Sequence, residues 1–402
     1  MKLRFKDENG NNYPDWEEKK LDELLEKYFS GGTPTSTNSN YYQGDINFIG
    51  SGEIGKYTTA KKINDLALKN SSAKKISKGD ILYAMYGATA GKVEISPING
   101  AINQAILCLD VKDYQSKYFI LSLLKHNKTR ILFKYLQGGQ GNLSAGQILN
   151  LVNEYPQSLE EQEKIGSFFK LQDEVIELKE ELIKEKKEYK KGLLQRVFNR
   201  ELRFKDANGN EYPDWEEKKL GNLGKHTKGS GLSKSDISLN ANNESILYGH
   251  LFTEYNEVIE NVVYYSNKTI KTLSNENSIL FPTSTTTGAF EISKFSAISK
   301  SGIQLGGDIS QITFNSNVNN IFMSYSLNSK YKKEISNFAV GTTIFHLYYN
   351  DFKNIVIKIP RSLEEQEKIG NLFKTIDEEI ELLENEVIQL KQKKKYYLSI
   401  MM

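Results

Sequence analysis

The residues of this chain with the strongest capacity for specific contact lie in polar loops punctuated by glycine. The richest are Ser30-Gly31-Gly32-Thr33-Pro34-Thr35-Ser36-Thr37, Tyr86-Gly87-Ala88-Thr89-Ala90-Gly91-Lys92, Gln137-Gly138-Gly139-Gln140-Gly141-Asn142 and Thr283-Ser284-Thr285-Thr286-Thr287-Gly288. Hydroxyl, amide and ammonium groups of these kinds hydrogen-bond base edges and phosphates. Glycine lets backbone N–H groups approach a phosphate closely. The 23 tyrosines add rings that stack and hydroxyls that donate. Candidate contacts in the first half are Thr33, Thr35, Ser36, Tyr42, Tyr86, Lys92, Gln140 and Asn142. In the second they are Lys228, Ser230, Lys234, Thr283, Thr285 and Thr287. Lys92 follows a glycine and suits a phosphate. Gln140 and Asn142 flank Gly141 and offer the paired donor and acceptor that an adenine edge takes. Each loop alone reads as solvent-facing connection; the set, carried twice, points to recognition.

Catalytic patterns fail one by one. Gly50-Ser51-Gly52-Glu53-Ile54-Gly55 has dinucleotide-loop spacing, but strand-like Lys56-Tyr57-Thr58-Thr59 follows it where a helix is needed, so a turn is expected. Gly87-Ala88-Thr89-Ala90-Gly91-Lys92-Val93 is one residue short of a P-loop and has valine at the Mg²⁺-binding position. Pro14-Asp15 with Glu17-Glu18-Lys19 imitates a nuclease cluster but reads better as surface charge around Trp16. There is no Pro-Pro pair for a methyltransferase loop and no serine in a G-x-S-x-G setting. The single cysteine, Cys108, excludes an internal disulfide and a cysteine zinc site; His126, His226, His250 and His346 are scattered. No catalytic residue and no metal site is expected.

The elements that would position the loops are set by a duplication. Residues 3–21 and 202–220 agree at 17 of 19 positions, an offset of 199. Residues 156–170 and 360–374 agree at 12 of 15, an offset of 204. Between these blocks only fragments align, Ile81-Leu82-Tyr83 with Ile279-Leu280-Phe281 and the six residues from Gly91 with the six from Gly288. A near-identical frame thus carries two divergent inserts, which implies shared packing and two different targets.

After each insert a proline is followed by Ser158 or Ser362, with Glu161 or Glu365 three residues on, the spacing of a capping box. No proline interrupts the chain from there to Arg200, or to the end. The second stretch carries a heptad seam, Ile369, Phe373, Ile376, Ile380, Leu383, Val387, Leu390, Lys394, Tyr397 and Met401, with Lys394 its one charge. The first offers Phe168, Leu171, Val175, Leu178, Leu182 and Tyr189, interrupted by Glu185. A sustained 3.5-residue period predicts a coiled coil. The helices either dimerise or pair antiparallel within the chain, and the cyclic order of frame and insert favours the latter. The lysine runs at 184–191 and 391–395 fall late in each helix, where basic residues suit the helix dipole.

The resulting fold class is α+β: two mixed α/β domains separated by two long antiparallel coiled-coil helices, with a pseudo-twofold internal repeat. Boundaries are expected at 1–157, 158–200, 201–361 and 362–402. At 38% hydrophobic and net charge +2 the chain builds real cores and is no uniformly basic coat. The absence of an apolar leader and of any long apolar run predicts a soluble, cytoplasmic protein.

In this order the motifs resemble the specificity (S) subunit of type I restriction–modification enzymes. The matching words are Ser30-Gly31-Gly32-Thr33-Pro34 with Tyr41-Tyr42-Gln43-Gly44-Asp45-Ile46, then Lys78-Gly79-Asp80-Ile81-Leu82 through Gly87 and Gly91-Lys92-Val93, and the Ser-Leu-Glu-Glu-Gln-Glu-Lys-Ile blocks at 158–165 and 362–369. The second insert departs, with Lys228-Gly229-Ser230-Gly231 and Thr283-Ser284-Thr285 in place of the corresponding words. The resemblance implies two target-recognition domains, each reading half of a split, asymmetric site on double-stranded DNA. It implies that the helices set the gap and dock two methylation (M) subunits, for which Leu171, Val175, Leu178, Leu182, Ile376, Ile380, Leu383 and Val387 are the docking candidates. It implies no enzyme activity and no cofactor in this chain. S-adenosylmethionine, ATP and Mg²⁺ would belong to the M subunits and to motor-nuclease (R) subunits. The competing expectation is a coiled-coil adaptor without a DNA role, and clustering of Lys92, Lys128, Arg130, Lys134, Lys228 and Lys234 on one face would decide against it.

Overall fold

The computed structural model describes residues 3–113, 115–136 and 141–402. The chain forms two compact units, residues 1–180 with 386–402, and residues 181–385. The long helices, Leu159–Phe198 and Leu363–Met401, each contribute to both.

In the first unit an antiparallel sheet runs in the order Leu25–Ser30, Ile106–Val111, Ile81–Ala84, Val93–Ile95. A second sheet is ordered Lys61–Ile63, Ile46–Ile49, Gly100–Ile102, Lys74–Ile76. The helix Lys117–Tyr135 covers the first sheet, and Phe119, Ile120, Leu123 and Leu124 join Tyr83, Leu107 and Leu109 in one core. The second unit repeats the plan. Its main sheet is ordered Gly224–Lys228, Ile309–Phe314, Ser278–Pro282, Ser296–Ile298, Val258–Ile259, and Asn320–Ser329 is the covering helix. The apolar runs Ile46–Ile49 and Val356–Ile359 form strands, the run 102–109 is divided between the strands Gly100–Ile102 and Ile106–Val111, and the first domain helix extends to Tyr135. The alignment of Gly288 with Gly91 does not hold in three dimensions. Val93–Ile95 is a strand, whereas Ala289–Ile292 is a helical turn, and the strand partner of Ser278–Pro282 comes later at Ser296–Ile298.

The repeated block before each long helix has a separate task for almost every side chain. Ser158 and Ser362 accept from the N–H of Glu161 and Glu365, as expected of caps. The glutamates do not return to the cap, so the box is half formed. Glu161, fully buried, takes both Nε and Nη2 of Arg4 at 2.8 Å. Gln162 accepts from the N–H of Ser116 and donates to the Pro156 carbonyl, which closes the N-terminus of the domain helix. Gln366 does the same for Asn319 and Pro360. Lys164 reaches the Lys6 carbonyl and the Tyr13 hydroxyl, and Lys368 reaches Lys205 and Tyr212. Gly166 weakens a helix, but a Cβ there would stand 2.6 Å from the Phe119 nitrogen. The domain helix sits too close for any other residue.

The long helices pair antiparallel within each unit. In the first, Lys179 meets Glu386, Lys391 meets Glu180 and Phe168 packs edge-on against Tyr397. In the second, Lys186 meets Glu379, Lys187 meets Glu384 and Lys190 meets Asp377. Numbers rise on one helix as they fall on the other. The seam expected on the second helix is the one that packs, with Ile369, Phe373, Ile376, Ile380, Val387 and Met401 buried. The seam expected on the first helix is corrected. Leu171, Val175, Leu178 and Leu182 are 59, 43, 65 and 40% exposed. The packed face is Ile165, Phe169, Ile176, Leu193 and Val197, filled out by Lys179, Lys186 and Lys190. Lysine stems cover apolar surface while their ammonium groups reach acidic partners, so a face rich in lysine can be the buried one. The lysine runs accordingly serve cross-helix ion pairs, beyond any effect of the helix dipole.

Candidate nucleic-acid interface

In the first unit the polar loops converge through backbone hydrogen bonds. Gly31 N–H donates to Asn103 O, Met85 N–H to Ala105 O, Leu143 N–H to Met85 O and Gly87 N–H to Gly141 O. Side chains extend the cluster: Thr33 Oγ1 donates to Gln104 at 2.9 Å, and Thr89 Oγ1 to Ser51 at 2.9 Å. A Cβ on Gly31 would fall 1.8 Å from Ile102 O and one on Gly32 2.7 Å from Ser72 Cβ, so these two close approaches demand the Gly-Gly pair. The loop that matched dinucleotide spacing is a turn, as expected, with Glu53 accepting from Gly50 and Ala60 N–H groups. The P-loop-like segment makes a single 3₁₀ turn, Gly87–Thr89, and then enters a strand.

Thr33, Thr35 and Ser36 are exposed along this rim, and Lys92 is half-buried beside it. Tyr42 donates its hydroxyl to Pro34 O at 2.7 Å and braces the loop. Tyr86 is half-buried and bridges Asn142 through the backbone. Asn142 is exposed, but its Oδ1 accepts from Gly87 N–H at 3.2 Å. The free donor-acceptor pair expected of it is therefore half engaged in shaping the loop. Gln140 lies outside the described residues.

The second unit builds the same cradle from other words. Gly229 N–H donates to Ile309 O and Ser230 N–H to Leu305 O; Thr283 N–H donates to Asp308 O, and Leu347 N–H to Thr283 O. Thr283 thus stands where Met85 stands, between the same two kinds of neighbour. Lys228, Ser230, Lys234 and Thr287 are exposed. Thr283 and Thr285 are 3 and 6% exposed and point inward, Thr285 towards the Thr287 hydroxyl at 2.8 Å. Their assignment as contacts is corrected: the strand Ser284–Thr285 is covered by Phe345–His346. The exposed run Thr342-Thr343-Ile344 after Gly341, just before Leu347, was missed. It occupies the place of Gly141-Asn142 before Leu143, and that Gly-polar-Leu order was its signal. Gln104 and Ser51 were missed for want of any pattern.

Within the first unit the basic residues named above do not share one face. Lys128 lies against Gly91, next to Lys92. Arg130, two residues along the same helix and so on another side of it, bonds Asn153 and shares a cleft with Lys134 and Val152. The placement of these basic residues therefore does not by itself decide against an adaptor without a DNA role.

The fold and its two cradles define a duplicated recognition protein with a constant frame and variable loops. The family model for the type I restriction modification DNA specificity domain matches twice, over residues 13–187 and 212–392, and the chain belongs to that family, whose role is DNA sequence specificity. A Methanocaldococcus jannaschii protein, the putative type I restriction enzyme MjaX specificity subunit, is 27% identical over 416 residues, covering 99% of this chain and 95% of the relative. The MjaVIII specificity subunit of the same organism is 24% identical over 414 residues with the same coverage. Among solved structures, the type I S subunit from M. genitalium has TM-score 0.66 at 15% identity, covering 100% of this chain and 99% of that one. A chain of a type I restriction–modification system, solved in work on its complex assembly and conformational transition, has TM-score 0.53 at 15% identity, covering 96% and 97%. No helix among the described residues is long and apolar enough to cross a membrane.

Proposed function

We propose that this chain is the sequence-reading subunit of a cytoplasmic type I restriction–modification complex, and that each unit reads one half of a split, asymmetric site on double-stranded DNA. The observation that carries this reading is the shared backbone cradle with different exposed side chains around it, Thr33, Thr35 and Ser36 in one unit and Ser230, Lys234 and Thr287 in the other. One scaffold presenting two surfaces suits two half-sites. Methylome sequencing of cells with and without the chain tests it. A split adenine motif should vanish with the chain; an unchanged methylome would refute the proposal.

The helices set the gap and dock two M subunits, with R subunits joining the assembly. Leu171, Val175 and Leu178 on the first unit and Leu182 on the second are the docking candidates, because the fold leaves them uncovered. Ile376, Ile380, Leu383 and Val387 drop out: Ile376, Ile380 and Val387 are buried in the seam of the helix pair, and half-buried Leu383 lies in the same seam. Large apolar residues exposed at heptad spacing are costly unless another surface covers them.

Chemistry belongs to the partners. S-adenosylmethionine, ATP and Mg²⁺ are expected on them and not here, so the homogeneous chain should show no methyltransferase, ATPase or nuclease turnover. Measurable turnover free of other subunits would overturn this. Lys92 is assigned to a phosphate. Lys92→Ala should weaken binding to cognate and random DNA alike and lower the slope of log K against log salt by about one. Fluorescence titrations at several salt concentrations read both, and a loss confined to cognate DNA would refute the phosphate role.

A further inference from the structure

One charge interrupts the apolar seam of the second long helix, Lys394, and its ammonium meets Asp173 on the first helix. The same pair recurs in the other half of the repeat as Asp377 with Lys190, 204 positions after Asp173 and 204 before Lys394. There Lys190 Nζ stands 2.6 and 2.7 Å from the two carboxylate oxygens. Each pair lies inside its own unit, and each is half-buried or more.

A polar pair in an apolar seam fixes helix register, and that alone would explain one partner for each aspartate. Both aspartates face a second partner, and it comes from the variable insert. In the second unit the buried Tyr325 donates its hydroxyl to Asp377 Oδ2 at 2.6 Å, from the domain helix Asn320–Ser329. Burial beside Asp377 pushes the Tyr325 hydroxyl's pKa up, so it remains a donor. Lys190 in turn stacks over the Tyr325 ring, 5.2 Å from its centre, and lies 3.8 Å from Glu257. In the first unit the second partner is an ammonium. Lys125, on the domain helix Lys117–Tyr135, stands 3.9 Å from Asp173 Oδ2 and 2.7 Å from Glu94 on the sheet. The constant pair is the same; the variable domains meet it with different chemistry.

We propose that Asp173–Lys394 and Asp377–Lys190 are positioning residues for half-site reading: each keys its variable domain, through Lys125 or Tyr325, to the constant helix pair at one angle, and so holds the recognition loops at one place along the DNA. This rests on the reading that each unit reads one half-site. The pairs act through the domains they hold and touch no DNA themselves.

Tyr325→Phe removes the key and leaves the cross-helix pair, with little loss of packed volume. Lys125→Gln does the corresponding thing in the first unit, at a partly exposed side chain. In the complete complex, methylome sequencing should show the two half-sites with unchanged bases. Methylation at sites whose spacer is one base pair longer or shorter should rise about tenfold, the effect of losing one hydrogen bond to a charged group. Exchanging Asp173→Lys with Lys394→Asp restores the cross-helix pair but sets two ammonium groups together at Lys125, so spacer selection should relax there too. A wild-type complex with one fixed spacer, retained by all three variants, would overturn the keying while leaving half-site reading intact. A wild-type complex with no split motif would overturn both.

Discussion

Arg4→Ala should destabilise the first unit by about 3–5 kcal/mol, the cost of leaving a buried carboxylate without its partner. Glu161 is fully buried and both its oxygens are taken by Arg4, whose Nη2 also reaches Tyr13 O and Pro14 O. The equivalent change in the second unit, Arg203→Ala, should cost less than about 1 kcal/mol, because its partner is the exposed Glu211. The two frames differ at only two positions, and one of them explains this: Glu211 stands where the first frame has Asn12, and it captures the arginine. Glu365, the counterpart of Glu161, is held instead by the Trp215 N–H at 3.0 Å, and burial raises its pKa above the usual carboxylate range. Denaturant unfolding of both variants checks the difference. Equal losses would show that the arginines do the same work. The double change Arg4→Met with Glu161→Leu should recover most of the first loss, since well-packed apolar residues replace a buried pair at little cost.

Exchanging residues 22–155 for the insert of a relative should change one half of the recognised motif completely and leave the other half untouched. The constant frame and the helices would remain, and the second cradle, from Gly229 to Leu347, draws on no residue of the exchanged segment. The incoming insert must satisfy two local demands. Its domain helix must offer an N–H where Ser116 meets Gln162, and its backbone must tolerate the close approach at Gly166. Methylome sequencing reads the outcome. A change in both halves, or in neither, would defeat the modular reading.

The repeat made much of this architecture legible. An identical frame has identical local chemistry, so Asp7 and Asp206 close the same turn on Asn11 and Asn210, and Lys164 and Lys368 make the same clamp. The second-helix seam was equally plain, because ten positions at alternating steps of four and three carry one charge. The first helix misled because it has two stripes. The more apolar one, from Leu171 to Leu182, faces outward, and the packed one is studded with lysines whose partners sit some two hundred residues away. Periodicity reports hydrophobicity and carries no information about which acidic side chain waits opposite.

By itself, then, the sequence determined the duplication, the long helices, the two α/β inserts and the kinship to specificity subunits, since each is written in local composition and order. Tertiary structure alone decided which helix face packs, that Thr283 and Thr285 turn inward while Thr287 stays exposed, that Asn142 spends its oxygen on Gly87, and that Gly31 and Gly166 are required by neighbours distant in sequence. These are questions of who meets whom across long chain separations. A hydroxyl or a lysine reads the same in a loop, a seam or a core until the fold assigns its partner.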